Sequence, residues 1–299
     1  MNNRFRDVLK DLIRRPIVAN IIMKIARAGL LSPRYCIFLQ LPAKGITTLT
    51  TSNGAEFKYV ASKNDITDRL LFWGGLRSFE PETCQTFYEL AKKAQVVVDV
   101  GAHVGIYTLL ACSASNSSRI VAFEPVPEAR KRLIANIELN RWQDRCEIRS
   151  EAVSNDEYYS KIYVTCNETS MSSLNIESVQ DHIGDLMDVK VIALDQIFSE
   201  NTKVDLVKID VERLEDKVLE GMKGILMSSG PYIILEALPD GPYVSAEKIL
   251  NQFGYRIYKF TEAGLVSIGG IVPNIRDSRN SNNFLCVPEN RGLHELIAL

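Results

Sequence analysis

The sequence predicts an α/β fold: a doubly wound, mostly parallel sheet with an antiparallel edge, preceded by an N-terminal helix and hairpin. Three observations predict it. Continuous β-branched runs recur from Gln95 onward, the pattern of strands buried on both faces. Stretches of helical length separate them, and such alternation winds a parallel sheet on both sides. The last two strand-like runs follow one another with no helix between them, so one must run backwards. With 299 residues, 46% hydrophobic and 24% charged, the chain can bury a core without disulfides or metals and is not a disordered polymer. A net charge of -2 argues against a dedicated nucleic-acid binder.

The elements follow in order. Residues 1–34 carry eight Lys and Arg against Asp7 and Asp11, a net of +6. Lys24 and Arg27 interrupt the stretch IVANIIMKIARAGLL, which therefore suits neither a secretory signal nor a membrane span. Ile17, Ile21, Ile25 and Ala28 make a helical stripe behind Pro16. It either packs on the main domain or lies as a basic helix on an anionic membrane surface, and the sequence leaves both open. TTLTTSNGAEFKYVAS predicts two strands about Asn53-Gly54. NDITDRLLFWGGLRSFEPE reads as a loop, and a helix is expected over 81–94. Residues 1–78 thus form a lead-in to a main domain over 79–299.

That domain begins with strand QVVVDV and helix IYTLLACSA. Strand RIVAFEP, helix PEARKRLIANIELN, strand CEIRSEAV and strand KIYVTC come next. VDLVKIDV precedes helix LEDKVLEGM, YIILEAL precedes helix SAEKILNQFG, and YRIYKF and NFLCVPE close the chain. The six cysteines, at 36, 84, 112, 146, 166 and 286, never come within three residues of one another. Neither a zinc nor a C-x-x-C redox pattern exists, and buried free thiols in a reduced, cytosolic setting are expected. The three histidines are scattered, and no metal-ligand spacing is recognisable.

In such a sheet the ligand sits beyond the carboxyl ends of the strands, where strand order reverses. Five strand ends there carry acids: Asp99, Glu124, Glu151, Asp210 with Glu212, and Glu236. Gly101-Ala102-His103-Val104-Gly105 is G-x-x-x-G, not the G-x-G-x-x-G that approaches a pyrophosphate, which counts against a nicotinamide oxidoreductase. Glu124, 23 residues after Gly101, stands where a carboxylate grips ribose hydroxyls. Asp99 suits a donor carrying a positive amino or sulfonium group. Gly101 and Gly105 would bare the backbone to that ligand. Together these point to S-adenosylmethionine, with Glu151 and Ala152 at its adenine. Structural readings stand beside these. Asp99 and Asp210 could cap the helices that follow them, Glu212 could serve a helix dipole, and a donor-binding protein without catalysis would show the same loop.

The segments VVVDVGAHVGIYTLLA, VAFEPVPEARKRLIANIELN, SEAVS, SSL and VDLVKIDVERLEDKVLEGM resemble the FkbM-type methyltransferases, from about Phe79 to Pro288. The resemblance implies a Rossmann-like, seven-stranded sheet of the class I methyltransferase type. It also implies methyl transfer from S-adenosylmethionine to a hydroxyl on a sugar, glycan or secondary metabolite. Asp99, Gly101, Ala102, His103, Gly105, Tyr107, Glu124, Pro125, Glu151 and Ala152 would then hold the donor. Asp210, Glu212 and Glu236 would face the reaction centre, with Asp210 the leading proton acceptor. Ser172, Ser173 and Arg213 would meet the acceptor. Two positions depart from the family: His103 replaces its usual Asn and Arg213 its usual Gly. The second puts a cation beside the acidic motif and so bears on which acceptor is taken.

Overall fold

The structure is a computed structural model that describes residues 16–30, 43–62, 65–165, 184–199, 201–261, 263–273 and 282–291. The chain divides into two compact units, residues 1–84 and 85–299.

In the first unit, helix α1 (Pro16–Arg27) precedes strands β1 (Gly45–Thr50) and β2 (Glu56–Ala61), an antiparallel hairpin in register from Gly45↔Ala61 to Thr50↔Glu56. Gly54, at φ 85°, supplies the left-handed turn residue. Two residues of the expected stripe of α1 face outward. Ile21 is 52% and Ile25 39% exposed, whereas Ala26 is buried. A polar contact ties its last turn to the hairpin and to the segment after it. Arg27 donates to Thr47 Oγ1 (2.6 Å), Thr48 O (2.7 Å) and Phe72 O (3.1 Å). No helix among the described residues is long and apolar enough to cross a membrane.

The segment expected as a loop contains helix α2 (Ile66–Gly74), which runs into a 3-10 turn over Gly75–Ser78. Asp65 caps it by accepting the Asp68 N–H at 2.8 Å. The stripe was hidden because a fully buried aspartate occupies one of its inward positions. Asp68 accepts the Tyr59 hydroxyl (2.7 Å) and the Ser62 N–H (3.0 Å). Trp73 is fully buried in the same unit. Helix α3 (Pro81–Ala91) follows, and the division between the units falls inside it.

The second unit holds an eight-stranded sheet. β3 (Val96–Val100) is followed by α4 (Ile106–Ala114), β4 (Arg119–Phe123), α5 (Pro127–Leu139) and β5 (Cys146–Arg149). The chain then leaves the sheet edge, and the single strand expected over CEIRSEAV is split. β6 (Ala152–Val153) instead joins β7 (Tyr158–Thr165) and β8 (Gly184–Ile192) in a separate sheet of order β6-β8-β7. Ile162, Val189 and Val191 of that sheet pack on Val126 and Ala129 at the start of α5. Short helix α6 (Leu194–Ile197) leads to β9 (Leu206–Ile209), α7 (Glu215–Glu220), α8 (Lys223–Ser228), β10 (Tyr232–Glu236) and α9 (Tyr243–Gln252). β11 (Tyr255–Thr261), β12 (Gly264–Ile268) and β13 (Asn283–Pro288) complete the sheet.

The strand order is β12-β11-β13-β10-β9-β3-β4-β5. Pairings from β5 through β10 are parallel, and those of β13 with β10 and with β11 are antiparallel. The fold is the expected Rossmann-like one, with one strand more than the seven expected. β12 is appended to β11 by a hairpin whose burial pattern is mostly exposed, so no buried run announces it. One face of the sheet buries Val98, Val100, Val121, Val207 and Ile233 against Val218, Leu219, Ile225 and Leu250 from α7, α8 and α9. At about 25 cal/mol per Å² of apolar area removed from water, this packing is the main stabilising force.

Candidate active site

Strand order reverses at β3, whose sequence neighbour β4 lies on one side and whose other neighbour is the distant β9. The loops leaving these strands meet there. A Cβ on Gly101 would lie 1.8 Å from the Asp210 carbonyl oxygen, and Gly101 holds φ 80°. A Cβ on Gly105, at φ 90°, would lie 2.3 Å from Leu133 Cδ1 of α5. Neither glycine has room for a side chain. Their bareness lets the β3 loop touch the β9 loop on one side and α5 on the other.

Between them His103 adopts φ 51° and donates its backbone N–H to Glu124 Oε2 at 2.7 Å. Val126 N–H donates to Glu124 Oε1 at 2.8 Å. The carboxyl group is thereby aimed at the end of β4, with lone pairs to spare on each oxygen. Burial pushes Glu124 up to about 7, against the pull of those two N–H donors. Pro125 follows in the same turn, and Ala102 N–H bonds Phe123 O at 3.0 Å.

Asp99 is 1% exposed and accepts the Thr108 hydroxyl of α4 at 2.6 Å. Burial raises it to about 6, opposed by the Thr108 bond and the charge of Lys208. Lys208 is a fully buried lysine in β9, with Nζ 3.2 Å from Asp210 Oδ2 and 5.1 Å from the centre of the Tyr107 ring. Tyr107 also stacks edge-on against Phe87. Asp99 and Lys208 are thus buried together under the loops, where charge interactions are strong, and Asp210 joins them with its side chain 34% exposed.

Asp210 has the opposite shift. Burial pushes it up, but the Lys208 charge, hydrogen bonds from Glu236 and Lys208, and the nearness of His103 outweigh that and hold it below its ordinary range. Asp210 is thereby favoured in its ionised form, with the Glu236 side chain beside it. Glu212, at φ 51°, is raised to about 7 by burial and then by the Asp210 charge. Glu215 likewise rises to about 7 through burial and accepts the Arg213 N–H at 3.0 Å. Arg213, at φ 74°, reaches Asp240 in the loop after β10 at 2.8 Å.

The structure therefore groups Asp99, Gly101, Ala102, His103, Gly105, Tyr107, Glu124 and Pro125 with Asp210, Glu212, Arg213 and Glu236. Glu151 is engaged elsewhere, by Arg149 at 2.6 Å, and Ala152 is buried in β6. Ser172 and Ser173, with Leu174, lie outside the described residues. Two residues of the cluster escaped the sequence reading. Lys208 had a signal: a lysine inside the continuous apolar strand LVKI, two residues before an acid, must be paired. Thr108 had none. Among the described residues, no three His, Cys, Asp or Glu side chains are grouped to hold a metal ion.

A family model described as the methyltransferase FkbM domain matches residues 99–257, more than half of the chain. The AMB antimetabolite synthetase AmbE of Pseudomonas aeruginosa is 29% identical over 179 residues, which is 47% of this chain and 8% of that protein. The chain thus spans a small fraction of that relative's length. Among solved structures, methyltransferase FkbM of Methylobacillus flagellatus is similar over 65% of this chain and 43% of its own, at 15% identity and TM-score 0.43. A SAM-dependent O-methyltransferase of Thermotoga maritima is similar over 84% and 95%, at 11% identity and TM-score 0.41. The matched region begins at Asp99 and takes in both the β3 loop and the β9 loop. This chain belongs to the methyltransferase FkbM family.

Proposed function

We propose that the protein transfers a methyl group from S-adenosylmethionine to a hydroxyl oxygen of a small or glycan-like acceptor. The observation that carries the reading is the Glu124 carboxyl group, buried at the end of β4 and held by the His103 and Val126 N–H groups. Burial raises that group to about 7, and a pair of ribose hydroxyls would favour its ionised form by two charge-assisted hydrogen bonds. When bound, the donor supplies a methyl group already activated on a positive sulfur. The protein's part is then to bind, orient and exclude water. Asp99 and Asp210, balanced by Lys208, set a negative field that favours a cationic donor.

Proton removal from the acceptor falls to Glu212 rather than Asp210. Efficient general bases have pKa values near the working pH, and Glu212 sits near 7 while Asp210 is held low. Asp210, fixed by Lys208 and Glu236, instead orients the hydroxyl. Titration calorimetry with S-adenosylhomocysteine, on wild type and Glu124→Ala, tests the donor half. Binding by wild type and loss of at least tenfold in the variant are expected. Equal affinities, or no binding by wild type, would refute it.

A further inference from the structure

The residue after Glu212 is an anomaly. Arg213 holds φ 74° immediately after a residue at φ 51°, so two consecutive L residues occupy the left-handed region. Such backbone persists where its surroundings over-determine it, and it collects at ligand-binding positions. Glycine would hold the same turn without strain. The Arg213 side chain reaches from the loop after β9 to Asp240 in the loop after β10.

The guanidinium is only partly used. Nη2 donates to Asp240 Oδ2, while Nε is buried with no hydrogen-bond partner among the described residues. Asp240 is a weak competitor, because its side chain is 66% exposed and well hydrated. Glu212 and Glu215, the nearest other acids, are raised to about 7 by burial and so are partly neutral at physiological pH. The side chain keeps 24% of its surface exposed three residues from Asp210, and a planar guanidinium matches the two oxygens of a carboxylate or phosphate.

We propose that Arg213 selects the acceptor, gripping a carboxylate or phosphate carried by the same molecule that presents the hydroxyl. This rests on the methyl-transfer reading, since it names the class of acceptor for that site. Asp240 holds the guanidinium in place until the anion arrives.

The test is calorimetric titration of wild type, Arg213→Gly and Asp240→Asn, each saturated with S-adenosylhomocysteine. The probes are glycerate, glycerol 3-phosphate and glycerol, which share a three-carbon skeleton. One anion should bind saturably where glycerol does not, and which one it is separates carboxylate from phosphate recognition. Arg213→Gly, which fits the backbone, should weaken that anion at least tenfold and leave S-adenosylhomocysteine affinity unchanged. Asp240→Asn should tighten it severalfold. Anions that bind wild type no better than glycerol, or equally well to Arg213→Gly, would overturn the proposal. Failure of S-adenosylhomocysteine to bind would instead strike the donor reading, and the same titrations without it would still decide the role of Arg213.

Discussion

Glu124→Gln separates what the buried carboxyl group does for binding from what it costs the fold. Glu124 titrates near 7 in the folded protein against 4.5 for the free side chain. A carboxyl group with a raised folded pKa favours the native state least when it is ionised. Its penalty is absent below the unfolded value, grows as pH rises between the two, and is complete above the folded value. With these two values the ligand-free wild type loses about 2.5 kcal/mol between pH 5 and pH 8 through this group alone. Glutamine does not titrate, so the variant lacks that loss. The difference in unfolding free energy, variant minus wild type, should therefore rise by about 2.5 kcal/mol from pH 5 to pH 8. Urea denaturation of both proteins at each pH measures it, and titrations shared by the two proteins cancel. Donor binding should move the other way. Two charge-assisted bonds become neutral ones, at a cost of about 2 kcal/mol or roughly 30-fold in S-adenosylhomocysteine affinity. A stability difference that stays flat across the pH range would show that Glu124 is already ionised, or already solvated, in the free protein.

Three further outcomes are expected. Glu212→Gln should lower turnover by about 100-fold or more with donor affinity intact, whereas Asp210→Asn should lower turnover and disturb acceptor KM, as single-turnover and steady-state rates would show. Full turnover in Glu212→Gln would remove it as the base. Gly101→Ala forces a methyl group into the Asp210 carbonyl at φ 80° and should destabilise by about 2–4 kcal/mol, read by thermal denaturation. Lys208→Met leaves Asp99 and Asp210 without their counter-ion and should cost about 3–5 kcal/mol at pH 8. The cost should shrink at pH 5, where Asp99, raised to about 6, is protonated and needs no partner.

Most of the sheet was legible because its strands are buried on both faces. VVVDV, RIVAF and LVKI show that burial directly in their composition. The elements that escaped lacked that signal. Helix α2 places Asp68 at a core position, so its apolar stripe is broken, and the aspartate is tolerated only because Tyr59 and Ser62 satisfy it from the hairpin. β8 and β12 carry exposed positions along much of their length. Arg27 of α1 finds its acceptors on Thr47, Thr48 and Phe72, partners that no periodicity in the helix itself could reveal.

The alternation of buried strands with helices, the acids at the strand ends and the loop of Asp99 to Gly105 were determined by the sequence alone, since alternating burial and special backbone positions leave marks in residue type. Tertiary structure decided which atoms those residues meet. It turned Gly101 toward the Asp210 carbonyl, gave the Glu124 carboxyl group the N–H donors of His103 and Val126, and buried Lys208 between two aspartates from different strands. It also split apart the ionisation of Asp210 and Glu212, two residues apart in the chain, because the Lys208 ammonium lies against Asp210 while burial and the Asp210 charge act on Glu212. The reason is general: burial and charge act through distance in space, and positions far apart in the chain become neighbours only when the sheet is wound.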